Sequence, residues 1–399
     1  MANQRVLVLG GNFAGLMAAL SVKHDLGDDV DVTVISKSDR FQFNPSLIWI
    51  PFGKRTVSSV TFPVAQTFES HEVDFVHGEA TRIDADSKRV ETSRGDYDYD
   101  YLVIATGYLN DFDVVPGLGP GGNAFSITDL EGAVNAAEGW ARFLNDPGPV
   151  VVAATQGAAC FGAAYEFVFN TTYHLRKQKL QVPVAYVSAE PFPGHFGIGG
   201  LPGGEKLLGM FFRRQKIEPI FDVAMEEVAP GELRLADGRK LPFKYAMVVP
   251  PFVGAEVVHA SGLGNAKGFI EVKDTYQTLE HPNVYAVGIA AAVNAPWTTA
   301  NAVGVPKTGF PAETMAHVAA ENIAAQIRGQ EPTKQENFGD IPAVCIMDAG
   351  NNGVVILADR MLPPRKHGVM IPGPQSHAAK LAFEKYFLLK MRHGYVGLP

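Results

Sequence analysis

Val8-Leu9-Gly10-Gly11-Asn12-Phe13-Ala14-Gly15 ends the apolar run RVLVL of residues 5–9 and opens an apolar-rich segment that continues to Lys23. An unbroken run of valine and leucine reads as a strand buried on both faces. Gly15 to Lys23 reads as the helix after it, and Val30 to Ile35 (VDVTVI) as the next strand. Strand, turn, helix and strand within about thirty residues make the β-α-β unit of dinucleotide-binding folds. Gly10 supplies the tight turn, and Gly15 lets helix and strand approach closely. Gly11 and Ala14 complete the turn, and Asn12 stands where a middle glycine would admit a pyrophosphate. A phosphate bound here would face the helix N-terminus. A purely structural turn would carry the same glycines.

The second strand ends in Ser36-Lys37. An acid at this point usually grips the ribose hydroxyls, whereas a serine offers one hydroxyl. Two later buried strands, Tyr101 to Ala105 before Thr106-Gly107 and Val284 to Val287 before Gly288, predict a first domain built in two parts around an insertion. The insertion carries a second β-α-β unit. Its strand is Val150 to Ala154, its helix runs from about Gly162 to Lys177, and a strand follows at Val182 to Val187. In its turn only Gly157 remains of a phosphate-binding pattern. Side chains at Ala154, Thr155, Gln156 and Ala159 would crowd a pyrophosphate. The unit therefore has the shape of an NADH module without its binding. Tyr245 to Pro250 reads as a further strand, 311–328 as a helix and Glu331 to Asp340 as a linker. A hairpin-like stretch (Ala343 to Ala358), a Pro/Gly-rich loop (Pro363 to Pro374) and a helix from about Gln375 to His393 close the chain. The expected class is α/β, with two Rossmann-like dinucleotide-binding domains and a C-terminal unit.

Composition narrows the function. The 399 residues are 46% hydrophobic and 19% charged, an ordinary globular balance. A net charge of −8 argues against a nucleic-acid partner. Two cysteines, with no CxxC, exclude a disulfide scaffold and covalent c-type haem. The strand at residue 5 leaves no room for a signal peptide, so the chain is expected on the cytoplasmic side. The longest uncharged run, Pro282 to Pro306, holds too many polar residues for a membrane span and reads as a strand followed by a buried loop. From Arg360 to Pro399 seven Lys/Arg face one acid, a net +6 against −14 for the rest. Such a tail suits an anionic surface such as phospholipid, or a solvated helix.

The two cysteines stand in Gln156-Gly157-Ala158-Ala159-Cys160-Phe161-Gly162, with Glu166 following, and in Val344-Cys345 before Asp348. Six positions advance a helix by about 600°, so Cys160 and Glu166 can converge only if Cys160 lies in the turn before the helix. Other distinctive stretches are Phe41-Gln42-Phe43-Asn44-Pro45-Ser46, Ser188-Ala189-Glu190-Pro191-Phe192 with Gly194-His195, Pro250-Pro251-Phe252, Pro306-Lys307-Thr308-Gly309 and Phe383-Glu384-Lys385-Tyr386-Phe387 with Lys390-Met391.

In these segments, taken in order from residue 5 to 393, the chain resembles the sulfide:quinone oxidoreductases, flavoproteins of the disulfide-reductase structural superfamily. The resemblance implies domains at 1–110 (first part of the FAD-binding domain), 111–245 (degenerate NADH-type domain), 246–330 (second part of the FAD domain) and 331–399 (quinone and membrane docking). It implies FAD held by Gly10, Gly11, Asn12, Ala14, Gly15, Ser36, Lys37, Pro45, Ala105, Thr106, Gly107, Gly288, Lys307 and Thr308. Many members carry a third cysteine where this chain has Ser126, so FAD is expected to be non-covalent.

The resemblance also implies chemistry. Hydrogen sulfide would attack a Cys160–Cys345 bridge, leaving a persulfide, assigned to Cys345, and a flavin-attacking thiolate, assigned to Cys160. Glu166 is the candidate base and His195 a second proton carrier. Each could instead be a structural side chain, as Lys307 could be a surface lysine rather than a charge beside the flavin. The C-terminal helix would meet quinone and membrane through Phe383, Tyr386, Phe387 and Lys390, its lysines snorkelling to headgroups. Membrane quinone is the expected acceptor, and an oligomer of like chains stays open. Rival readings are a type II NADH:quinone oxidoreductase, a sulfide dehydrogenase flavoprotein subunit and a non-catalytic flavin-binding sulfide sensor.

Overall fold

A computed structural model describes residues 3–398. The first sheet is parallel throughout, in the order Val284–Ala286, Tyr101–Ile104, Gln4–Leu9, Val30–Ser36, Asp74–His77. Leu9 lies level with Ile35 on one side and Ile104 on the other. Gly10, Ser36 and Ala105 therefore leave the sheet along one edge, the carboxyl edge at which ligands bind in such folds. Helix Phe13–Leu26 is buried over most of its surface and packs against helix Gly309–Ile327. That explains its lack of a polar face.

The second sheet is also parallel, in the order Ile217–Ile220, Val184–Ser188, Val150–Ala154, Tyr245–Val249. Tyr245–Val249, which the sequence boundary at 245/246 divides, is thus the fourth strand of the inserted domain. Helix Phe161–Lys177 follows Val150–Ala154 and carries Cys160 at its N-cap. The stretch after Val284–Ala286 differs from the expected buried loop. Most of 294–302 is exposed, because it crosses over the turn at residues 157–158 on the outside of the molecule.

The C-terminal unit is an antiparallel sheet, Ala343–Asp348, Gly353–Ala358 and Gly368–Pro372, with helix Pro374–His393 packed on it. The third strand arises inside the Pro/Gly-rich stretch read as a loop. The helix corrects a larger expectation. Its buried stripe is Ser376, Lys380, Glu384, Phe387 and Met391, spaced by three and four, with Lys390 beside it. Lys380 and Lys390 do not snorkel to headgroups. Lys380 pairs with Glu166 at 3.0 Å, and Lys390, with no exposed surface, pairs with Glu313 and bonds the Leu398 carbonyl. Glu384 pairs with Arg55 at 2.8 Å. Three buried charges thus each find a partner on a different part of the chain, as burial of charge requires. Phe387 is likewise buried, against Phe13, Phe43 and Phe383.

Lys390→Met leaves Glu313 buried without its cation, which costs about 3–5 kcal/mol when a buried pair is broken from one side. The expected result is a clearly lowered melting temperature that the second change Glu313→Leu largely restores. A headgroup lysine would give no loss of melting temperature in the detergent-free protein.

Candidate active site

The turn at the edge of the first sheet is a cradle. Gly10 has φ +107°, and a Cβ there would lie 2.3 Å from the Ala105 carbonyl oxygen. A Cβ on Gly15 would lie 1.9 Å from the Gly10 carbonyl oxygen. Gly11 lies over Ser36, which is buried. Helix Phe13–Leu26 starts at Asn12 without a side-chain cap among the described residues, since Asn12 Oδ1 accepts instead from the Gln42 N–H at 3.2 Å. Thr106 Oγ1 is buried and has no hydrogen-bond partner among the described residues. An open helix N-terminus, a turn that admits no Cβ and an orphaned hydroxyl fit the phosphates and sugar of a dinucleotide. Gly288 (φ +66°) meets Ala14 across the same edge. Lys37 is exposed and its ammonium is taken by Glu79 at 2.8 Å.

The strand ends open into one cavity of about 1900 Å³, its mouth included. Asn12, Ala14, Pro45, Ala105 and Gly107 line it from the first domain, and Gly288, Lys307 and Thr308 from the returning segment. Lys307 Nζ donates to the Ile289 and Ala291 carbonyls at 2.7 and 2.6 Å, and burial pushes its pKa down to about 7. Phe383 and Phe387, ring centroids 4.5 Å apart, form an aromatic wall. Tyr386 stands half-buried beside Phe387 and does not line the cavity.

Cys160, Cys345 and Glu166 reach the same cavity. Cys160 caps helix Phe161–Lys177, in the turn before it, which resolves the 240° separation from Glu166. Cys345 sits on the edge strand Ala343–Asp348 and opens into the cavity; both are free thiols. Enclosure within the cavity, to which its side chain is exposed, pushes the Cys345 thiol up to about 12, opposed by Lys380. Burial also raises Cys160, opposed by the Ala163 N–H and by Lys380. Glu166 is pushed up to about 7 by burial, although Lys380 Nζ contacts both of its oxygens, at 3.0 and 3.2 Å. Lys380 stays charged: burial opposes its charge, and Glu166, Cys345 and Asp348 outweigh it.

His195 is not brought to the cavity. It is buried, edge-on to Trp297 and Phe192, and burial pushes it down to about 4, so it is neutral. Its Nδ1 accepts from the Gly197 N–H at 3.3 Å, a structural use. The expected lysine at the quinone side, Lys390, is the buried partner of Glu313 described above. Sequence reasoning missed Lys380 and Asp348 as site residues. Asp348 is fully buried, and its N–H donates to Glu166 at 2.8 Å. The signal available was the recurrence of charges at helical spacing with Phe387 and Met391.

The second dinucleotide turn is occupied by the chain itself. Gln156 exchanges two hydrogen bonds with the backbone of Met225, at 3.0 and 3.1 Å. The Gly157 N–H donates to the Ala302 carbonyl at 2.6 Å, and Gly304 closes on Ala158 at 2.9 Å. Glu190, just past the strand where a ribose-binding acid would stand, is buried and accepts from Ser188 Oγ and the Phe196 N–H.

An open cradle beside a cysteine pair, next to a closed second dinucleotide turn, defines a flavin-dependent oxidoreductase of the disulfide-reductase class. Residues 4–154 match the family model of pyridine nucleotide-disulphide oxidoreductases. The chain is 33% identical to a sulfide-quinone reductase of Aquifex aeolicus over 98% of its own length and 92% of the relative's. The crystal structure of the sulfide:quinone oxidoreductase from that organism superimposes with a TM-score of 0.93. The chain belongs to the sulfide:quinone oxidoreductase family, and FAD is the cofactor that family membership implies. A type II NADH:quinone oxidoreductase of Staphylococcus epidermidis is 34% identical over only 32% of this chain. The Plasmodium falciparum NDH2 structure, at 13% identity and TM-score 0.74, shares the fold.

Gly15→Ala should yield folded protein without visible flavin absorbance, because the added Cβ pushes the helix off the strand. Full retention of the yellow chromophore would place the flavin somewhere other than this cradle.

Proposed function

We propose that the protein oxidises sulfide to polysulfide sulfur and passes the electrons to a membrane quinone. The observation that carries this reading is the meeting of Cys160, Cys345 and Glu166 in the cavity that Phe383 and Phe387 also line. Bound FAD supplies the two-electron chemistry between the substrates. Ser126 Oγ is engaged with Thr128 Oγ1 at 2.9 Å, and both cysteines of the chain belong to the pair, so the flavin is held without a thioether.

The thiol environments support the order of the sulfur steps. Hydrosulfide attacks the Cys345 sulfur of a Cys160–Cys345 disulfide. The S–S bond breaks, its electron pair leaves on Cys160, and Cys345 keeps the persulfide. The better leaving thiolate is the one with the lower pKa. Lys380 acts on both thiols, but Cys160 alone has a helix N-terminus to stabilise its charge, whereas Cys345 lies at about 12. Glu166 accepts the proton brought in by hydrosulfide. Because its pKa is raised to about 7, it is ionised and able to do so only above that pH, so flavin reduction should accelerate as pH rises through about 7.

The quinone enters along the Phe383–Phe387 wall. No helix among the described residues is long and apolar enough to cross a membrane. The outer face of the C-terminal sheet supports docking on one leaflet: Leu357 opposes Val369, Val355 opposes Ile371, and Leu357, Val369 and Ile371 are exposed. An antiparallel sheet normally turns polar residues to water on its free face. Leu389 on the helix is exposed too, with Lys366, Lys385 and Arg392 exposed in the same unit. Basic side chains beside apolar ones suit an anionic cytoplasmic leaflet. The docking surface is thus this face rather than the buried Lys380, Phe387 and Lys390.

Anaerobic rapid mixing tests the reading. Sulfide should bleach the flavin, and NADH in large excess should not, because the second turn is closed by Gln156 and Ala302. Bleaching by NADH with none by sulfide would favour the NADH:quinone reading. Cys160→Ser and Cys345→Ser should each abolish sulfide-dependent bleaching while FAD stays bound, and acid precipitation should release the chromophore. Changing Val369 and Ile371 together to Ser should weaken co-sedimentation with anionic vesicles several-fold and leave flavin bleaching by sulfide intact.

A further inference from the structure

Asp348 lies three residues after Cys345, has no exposed surface and ties together the first domain, the Cys160 helix and the C-terminal helix. Its N–H donates to Glu166 Oε1 at 2.8 Å. Its carbonyl accepts from Asn170 Nδ2 at 3.0 Å, and the same nitrogen bonds the Glu166 carbonyl at 2.9 Å. The backbone of the Cys345 strand is thereby fastened to the helix that Cys160 caps. Its carboxylate takes three further donors from elsewhere: Trp49 Nε1 at 2.9 Å, Lys54 Nζ at 3.5 Å and His377 Nδ1 at 2.6 Å. Lys54 and His377 reach partial exposure, with side chains 22% and 27% accessible.

Resting on the sulfide-oxidising reading above, we infer that Asp348 is a positioning residue for Glu166. Its main chain aims the carboxylate, and its own charge, countered by Lys54 and oriented by His377, sets the field at Glu166 beside the charged Lys380. The charges around it come from four sides. Glu166 stands on the Cys160 helix, Lys380 and His377 on the C-terminal helix, Lys54 with neighbouring Arg55 on the first domain, and Lys177 with His174 at the far end of the Cys160 helix. Burial resists ionisation of Asp348, but Lys54, Trp49 and His377 together hold it below the usual carboxylate range. It is therefore a permanent negative charge next to the base, and it raises Glu166 while its N–H lowers it. Sequence and family likeness assign this aspartate no role; the network does.

The test is a pH profile of sulfide-dependent flavin reduction in the FAD-bound protein. Ionisation of sulfide is common to all variants and cancels in the comparison. Asp348→Asn removes the negative charge, so the acid limb should move to lower pH by on the order of half a unit. Lys54→Gln removes the countercharge, so the limb should move to higher pH by a similar amount, and Lys54→Arg should leave it near wild type. If Asp348→Asn does not fold, the two Lys54 variants still decide. Infrared titration of the protonated Glu166 carboxyl, identified by its loss in Glu166→Gln, should follow the same displacements with no substrate present. Limbs and infrared midpoints that stay put while rates fall would make Asp348 a structural fastener only, and shifts of the same sign in Asp348→Asn and Lys54→Gln would also overturn the inference. Wild-type protein that titrates as expected but is not bleached by sulfide would instead overturn the functional reading.

Discussion

The contact between Lys380 and Glu166 is the constraint on which the rest of the molecule turns. Taking both charges out of water costs several kcal/mol per ion, and their attraction offsets that only with good geometry and further hydrogen bonds. Both conditions are met: the ammonium contacts both carboxylate oxygens and the Ile346 carbonyl, and Asp348 completes the acid's shell. Such a pair adds little net stability but tolerates few alternative packings. Here it fixes the C-terminal helix against the helix that Cys160 caps, and so brings the strand of Cys345 to the cavity. The same ammonium then lowers the cost of a thiolate at either cysteine.

The two dinucleotide turns show one fold put to opposite uses. In the first, glycines keep Cβ atoms out of a cradle whose helix N-terminus stays open. In the second, the Ala302 carbonyl takes the Gly157 N–H that would have faced a phosphate, and the Gln156 side chain ties the turn to Met225. On the proposed reading the electron donor reaches the flavin site by another route, through the cysteines. The second domain survives as a scaffold that presents Cys160 at a helix start.

Much of this was legible in the sequence because it rests on local chemistry. The Gly10–Gly15 turn announces itself through residues that only a tight turn demands, and the 100° helical step states the condition for Cys160 to meet Glu166, a place in the turn before the helix. The lost NADH turn is visible as missing glycines. The C-terminal helix was misread because hydropathy counts a lysine as polar wherever it points. Its buried stripe contains Lys380 and Glu384, with Lys390 alongside, each neutralised by a residue distant in sequence, Glu166, Arg55 or Glu313, so no periodicity of apolar residues could mark it. His195 misled for a related reason: a neutral reference pKa suggests proton transfer, but burial against Trp297 removes the charge. The strand Gly368–Pro372 was hidden by its terminal glycine and proline, which an edge strand tolerates.

The central claim is the asymmetry between the two thiols, Cys160 at a helix start and Cys345 on an edge strand. Wild-type protein given less than one equivalent of sulfide without oxygen, then alkylated, digested and examined by mass spectrometry, tests it directly. In protein alkylated before the flavin is reduced, one added sulfur should lie on the peptide of Cys345, with the Cys160 peptide alkylated as a plain thiol. An added sulfur on Cys160 with Cys345 alkylated as a plain thiol would contradict the account.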